Sequence, residues 1–161
     1  MIRVATVLVA ALMTVTTIAN AQEALFLTVI EEVPPIEPDP PLPPAGLVRA
    51  EKWAEVLEQA EIDAVFSIDR RRNIQLAQPL ADSLGLKVFA FPKWDMKALA
   101  AKLRADHADD RVFLSLGATN VFELMQALGF DEIFRSIREQ DITVVIPRQN
   151  DRPVIILLEV E

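Results

Sequence analysis

The order of apolar runs and polar segments divides this chain into short strands separated by helices. Ala24 to Ile30 (ALFLTVI) is apolar at every position but Thr28, the pattern of a strand covered on both faces. Residues 31 to 45 hold seven of the chain's eleven prolines. Proline fixes φ and removes a backbone donor, so this proline-rich loop is expected to be extended and irregular. From about Pro44 the spacing becomes helical: Leu47, Ala50, Ala54 and Leu57 recur every three or four residues, with Trp53 beside them. Ala64 to Ser67 reads as a second strand and Asp69 as the N-cap of the next helix. Leu76, Ala77, Leu80, Ala81 and Leu84 form that helix's apolar face; Pro79 lies within it and counts against a helical middle unless the helix is kinked there, and Gly85 closes it. Leu86 to Phe91 is a third strand, and Asp95 caps a helix reaching about Ala105 with Leu99 and Leu103 inward. Arg111 to Leu116 is a fourth strand, followed by a helix from about Asn120 to Leu128 that Gly129 ends. Asp141 to Pro147 and Pro153 to Val160 are two final strands, joined at Gln149, Asn150 and Asp151 in a hairpin.

Strands alternating with helices specify an α/β fold. The expectation is a three-layer α/β/α sandwich around a mostly parallel sheet of about six strands, with an antiparallel C-terminal edge hairpin. Residues 22 to 161 make one domain of that kind.

The first 21 residues read differently. Met1-Ile2-Arg3 gives a positive start, Val4 to Ile18 is mostly apolar, and Ala19-Asn20-Ala21 offers a small-x-small cleavage pattern. The run is short for a membrane span, so it reads as a signal peptide cleaved after Ala21, with a periplasmic or secreted product and no membrane attachment afterwards. The formal net charge is −8. An acidic surface repels phosphate backbones and anionic lipid, which sets nucleic acid and peripheral membrane binding aside. The absence of cysteine excludes thiol nucleophiles and cysteine metal sites.

Few residues offer chemistry. Glu31 and Glu32 follow the first strand directly, at the strand end where α/β sheets place their sites. Ser67 and Ser115 lie in strands without a histidine base nearby in sequence. The single histidine, His107, belongs to RADHADDR before the fourth strand, and reads as a solvated residue. Carboxylates alone remain as metal ligands, without calcium-loop spacing, so neither a metal nor a cofactor is expected. Phe89, Phe91, Trp94 and Phe113 read as core or core-edge aromatics.

Three stretches, in this order and spacing, resemble the histidine phosphatase (phosphoglycerate-mutase-like) superfamily. DPPLPPAGLVRAEKWAEVL (39 to 57) carries a leucine, a glycine and an arginine-alanine pair at Leu42, Gly46, Arg49 and Ala50. IDAVFSIDRRRNIQLAQPLADSLGL (62 to 86) is similar to the superfamily's strand, turn and arginine-bearing helix start. DDRVFLSLGATNVFELMQALG (109 to 129) is similar to its fourth strand and following helix. The resemblance implies phosphoryl transfer through a phosphohistidine, with two arginines and a second histidine around the phosphate.

The residues at those positions do not support this reaction. The first motif, Leu-Val-Arg-His-Ala-Glu-Lys in small exported members, falls on Leu27 to Val33: Val29 stands for the arginine, Ile30 for the nucleophile, and Glu31 and Glu32 follow. The second, Gly-His-Ser-Asn, falls on Leu116-Gly117-Ala118-Thr119 or, with a gap, on Gly117-Ala118-Thr119-Asn120. Neither alignment supplies a histidine. The helix-start arginine is kept as Arg72, a residual phosphate-pocket candidate that Glu31 or Glu32 would neutralise by pairing. The sequence therefore implies a catalytically inactive histidine-phosphatase-like domain with a binding or scaffolding role, its partner an unidentified protein or a small anionic ligand. The alternative is a weak phosphatase or phosphate-ester binder using Arg72. A third reading makes the proline-rich loop a docking strand, removable over residues 34 to 44 without loss of stability.

Overall fold

Six strands form one sheet in the computed structural model of the protein, which describes residues 24–30, 38–130, 142–146 and 154–158, with backbone alone at 29, 30 and 142. In chain order the elements are β1 (Ala24–Ile30), α1 (Pro44–Leu57), β2 (Ala64–Ile68), α2 (Arg71–Leu84), β3 (Val88–Phe91), α3 (Met96–Asp106), β4 (Arg111–Gly117), α4 (Ala118–Leu128), β5 (Ile142–Ile146) and β6 (Val154–Leu158). The sheet order is β3-β2-β4-β1-β5-β6. β1 to β4 run parallel, while β5 pairs antiparallel with β1 and with β6. This is the expected α/β architecture with its antiparallel C-terminal edge.

Alternation along each strand sends side chains to two cores. Ala24, Phe26, Val65 and Phe113 pack with Trp53 of α1 and with Leu76, Ala77 and Leu80 of α2. Leu25, Leu27, Phe66 and Leu114 face the other way, onto Leu99 and Leu103 of α3 and Val121 and Leu124 of α4. A β strand buried on both faces has to be mostly apolar, which is why ALFLTVI and RVFLSL, each with a single buried hydroxyl residue, lack the period-two polar alternation of half-exposed strands. Burying each large aromatic such as Phe66 or Phe113 contributes about 2–3 kcal/mol.

Several boundaries differ from the sequence reading. Helix α2 is capped not by Asp69, which is exposed, but by Asp39 from the loop before α1: both its carboxylate oxygens accept the Arg71 N–H at 3.1 Å. Pro79 lies inside α2, which runs continuously from Arg71 to Leu84. Helix α4 starts at Ala118 rather than Asn120, while α1 starts at Pro44 as expected. Leu47 points to solvent while Trp53, expected only beside the apolar face of α1, is fully buried. Gly85 and Gly129 end their helices with φ of 67° and 83°, and Asp95 caps α3 through Ala98 N–H at 3.2 Å, as expected.

The later part of the proline-rich loop is structural. Leu42 is buried, and its N–H donates to Gln75 Oε1 at 2.7 Å. With Asp39, it ties the start of α1 to the start of α2. Deleting residues 34 to 44 would remove a cap and a core side chain, which contradicts the expectation that this stretch is dispensable. The segment read as a signal peptide and Glu31 and Glu32 lie outside the described residues.

Candidate functional site

The chain reverses its winding after β3. Helices α1 and α2 leave β1 and β2 toward one face, and α3 and α4 leave β3 and β4 toward the other, so that β4 and β1 are neighbours with diverging connections. Adjacent strands whose connections diverge leave a crevice at their carboxyl ends, where ligands of open α/β sheets bind. The register sets what stands there: Val29 pairs with Leu116 and Ile30 with Gly117. Two stretches 87 positions apart in sequence, singled out separately, therefore end side by side.

Gly117 is buried and serves as N-cap of α4 with no side-chain cap, its φ of −93° and ψ of 161° turning the chain directly from strand to helix. Nothing from the described residues caps the first turn of α4 through a side chain, which leaves N–H groups directed at the crevice. Below lies a row of hydroxyl side chains: Thr28 pairs with Ser115, and Ser115 with Ser67, across three neighbouring strands. All three are buried. Asn73, in the first turn of α2 and 2% exposed, donates from Nδ2 to Ser115 Oγ at 3.4 Å. Ser67 Oγ donates to Ile68 O at 2.8 Å. Sequence reasoning weighed the two serines separately as nucleophiles and missed Thr28 and Asn73; a hydroxyl residue recurring one or two positions before each of these strand ends was the available signal.

Arg72 stands in the first turn of α2, half-buried, and has no hydrogen-bond or ion-pair partner among the described residues. The proposed neutralisation by Glu31 or Glu32 falls outside the described residues. On the far side of the crevice, Asn120 donates from its side chain to Lys93 O and so anchors the β3–α3 loop to α4. Among the described residues no cluster of histidine and carboxylate side chains could hold a metal ion.

The imidazole of His107 is far from this place. It is the C-cap of α3, before the amino end of β4, and the six steps of β4 separate the two ends by about 20 Å. It is not a solvated residue, however. Its side chain is 16% exposed, Nδ1 lies 2.7 Å from Asp110 Oδ2, and its ring meets Phe66 edge-on at 5.2 Å between centroids.

The fold agrees with known proteins. The sequence model of the histidine phosphatase superfamily (branch 1) matches residues 32–95. This is a histidine phosphatase fold. A mycobacterial glucosyl-3-phosphoglycerate phosphatase superposes with a TM-score of 0.61 at 16% identity, over 84% of this chain and 96% of its own. Phosphoserine phosphatase from Entamoeba histolytica, solved with 3-phosphoglyceric acid, superposes at 0.55 with 14% identity, over 86% and 96% of the two chains. A histidine-to-alanine mutant of phosphoserine phosphatase from that organism, in complex with phosphoserine, superposes at 0.57 with 14% identity, over 82% and 93%. At such identities the likeness establishes the fold alone. No curated protein matches the chain. The superfamily resemblance read from residues 39 to 129 is thus supported, and the sequence match begins at Glu32, after Val29 and Ile30 of the first motif.

Proposed function

We propose that this protein is a non-catalytic histidine-phosphatase-like domain that binds a small anionic ligand in the crevice without cleaving it. The observation that carries this reading is the pairing of Ile30 with Gly117 at the crevice floor. A phosphohistidine needs an unprotonated ring nitrogen in line with the ester, and neither residue has one. The lone imidazole lies at the opposite end of β4. Ser67 and Ser115 do not replace it, since both are buried and their partners are Ile68 O and Asn73 rather than a base.

What remains favours binding. Arg72 offers a guanidinium that no described residue pairs with, and the α4 N-terminus offers backbone donors and the positive end of the helix dipole. The histidine-to-alanine phosphoserine phosphatase mutant named above, bound to phosphoserine, illustrates that this fold holds a phosphate ester after losing a histidine. Export with cleavage after Ala21, to the periplasm or beyond, belongs to the same proposal; intact mass of the exported chain, beginning at Gln22, tests it.

The decisive experiment pairs hydrolysis with binding. The purified protein is expected to release no phosphate from a generic phosphomonoester above the level of an Arg72→Ala variant. In the same preparation, inorganic phosphate is expected to raise the melting temperature of the wild type and not of Arg72→Ala. Turnover that depends on Arg72 would make the protein a phosphatase by another route, and an absent thermal shift would remove the anion-binding part.

A further inference from the structure

Trp94 is the most exposed large apolar side chain among the described residues, at 79%, and the fold makes no use of it. It stands in a turn from Pro92 to Asp95, closed by the Asp95 N–H on Pro92 O at 3.1 Å, immediately before α3. A hydrophobic residue at this position often staples a helix start by packing on the residue five places later. Here that residue, Leu99, is buried in the core while Trp94 stays in solvent. The turn is held without the indole: Asp95 caps α3, and the Asn120 side chain donates to Lys93 O.

The sheet sets where this turn lies. Phe91 pairs with Ile68, and Ser67 with Ser115, so the carboxyl ends of β3, β2 and β4 are level. The turn follows β3 at that level, and the Asn120–Lys93 bond carries it to the first turn of α4, whose N–H groups face the crevice. Trp94 is one Cα step of about 3.8 Å further, which puts its indole on the order of 10 Å from those donors. Tryptophan is enriched at binding surfaces because a large apolar face comes with little conformational freedom to lose.

We propose that the ligand of the crevice is an aryl phosphate ester, its phosphate held by Arg72 and the α4 N-terminus and its aromatic ring stacked on Trp94. The inference rests on the anion-binding reading above and names the rest of the ligand. Stacked rings have centroids about 4.5–7 Å apart, so one ring joined directly to the ester oxygen bridges the distance between indole and phosphate. The turn favours such a ring over a polyhydroxy group. Pro92 and Trp94 offer apolar surface, the Asp95 carboxylate is committed to the Ala98 N–H, and Lys93 supplies donors without an acceptor. The Lys93 ammonium also adds positive charge on the phosphate side of an acidic chain.

Calorimetric titration of the purified protein with inorganic phosphate, phenyl phosphate and cyclohexyl phosphate tests this. The two esters match in charge and carbon count and differ in the π face. The wild type is expected to bind phenyl phosphate about fivefold more tightly than cyclohexyl phosphate. Trp94→Ala is expected to erase that preference and leave binding of inorganic phosphate unchanged, while Trp94→Phe retains part of it. Fluorescence gives a second readout. The chain has two tryptophans and no tyrosine, and Trp53 is 1% exposed, so acrylamide quenching reports on Trp94. Phenyl phosphate is expected to shield the indole, and inorganic phosphate is not. Equal affinity for the two esters, or a phenyl preference that survives Trp94→Ala, overturns the inference while the anion site stands. If none of the three binds, the anion-binding reading fails and this inference with it.

Discussion

Asp39 does at long range what a local N-cap residue does in most helices. Arg70, at the N-cap position of α2, contributes no side-chain bond, and Asp39 supplies both carboxylate oxygens to the Arg71 N–H from 32 positions away. A negative group at a helix N-terminus satisfies an orphan donor and meets the dipole favourably. Asp39→Ala is expected to cost about 1 kcal/mol, read as a lower urea midpoint at unchanged slope. Gly46 shows a similar dependence on a remote neighbour. A Cβ there would lie 2.7 Å from Leu42 Cγ, so the glycine between Leu42 and Arg49 in the superfamily-like stretch has a packing reason. The sequence drew attention to Gly46 through resemblance; the physical cause is visible only once Leu42 folds back onto α1. Arg72 was legible as a helix-start arginine, but that no described residue pairs with it was not, because pairing depends on which loop ends close beside it.

At the scale of elements, the strands and helices were readable because each has to bury an apolar face, and burial imposes its period on the sequence. The errors lie where another contact outweighs local preference. Pro79 would by itself favour ending a helix, and α2 continues past it as the apolar face up to Leu84 indicated, since Leu76, Ala77, Leu80 and Ala81 on both sides of it are buried against the sheet and α1. Restoring the missing N–H toward Gln75 O by Pro79→Ala is expected to raise stability by about 1–2 kcal/mol. An interior proline costs about 3 kcal/mol, and part of the gain is returned through the freer unfolded chain. Calorimetry showing an unchanged or lower melting temperature would mean that the ring itself is an essential packing group. Phe89 and Trp94 were read with Phe91 and Phe113 as core or core-edge aromatics. Phe113 is buried because β4 is central; Phe89 and Trp94 are not, because β3 is an edge. Strand order, not strand sequence, made that difference.

Across the whole molecule, the order of residues along the chain specifies which segments are strands and helices, that they belong to an α/β sheet with a hairpin edge, and that histidine is missing from the motif positions. These follow from periodicity and residue identity, which are local properties. Tertiary structure alone decided that Ile30 and Gly117 are neighbours, that Thr28, Ser67, Ser115 and Asn73 form one buried polar row, and that β3 carries an open aromatic edge. It also turned His107 from a solvated residue into one packed on Phe66 and bonded to Asp110. The reason is the crossover order of the sheet. Placing β4 between β1 and β2 brings together strand ends far apart in the chain, and no spacing rule within one segment encodes which strands will be adjacent.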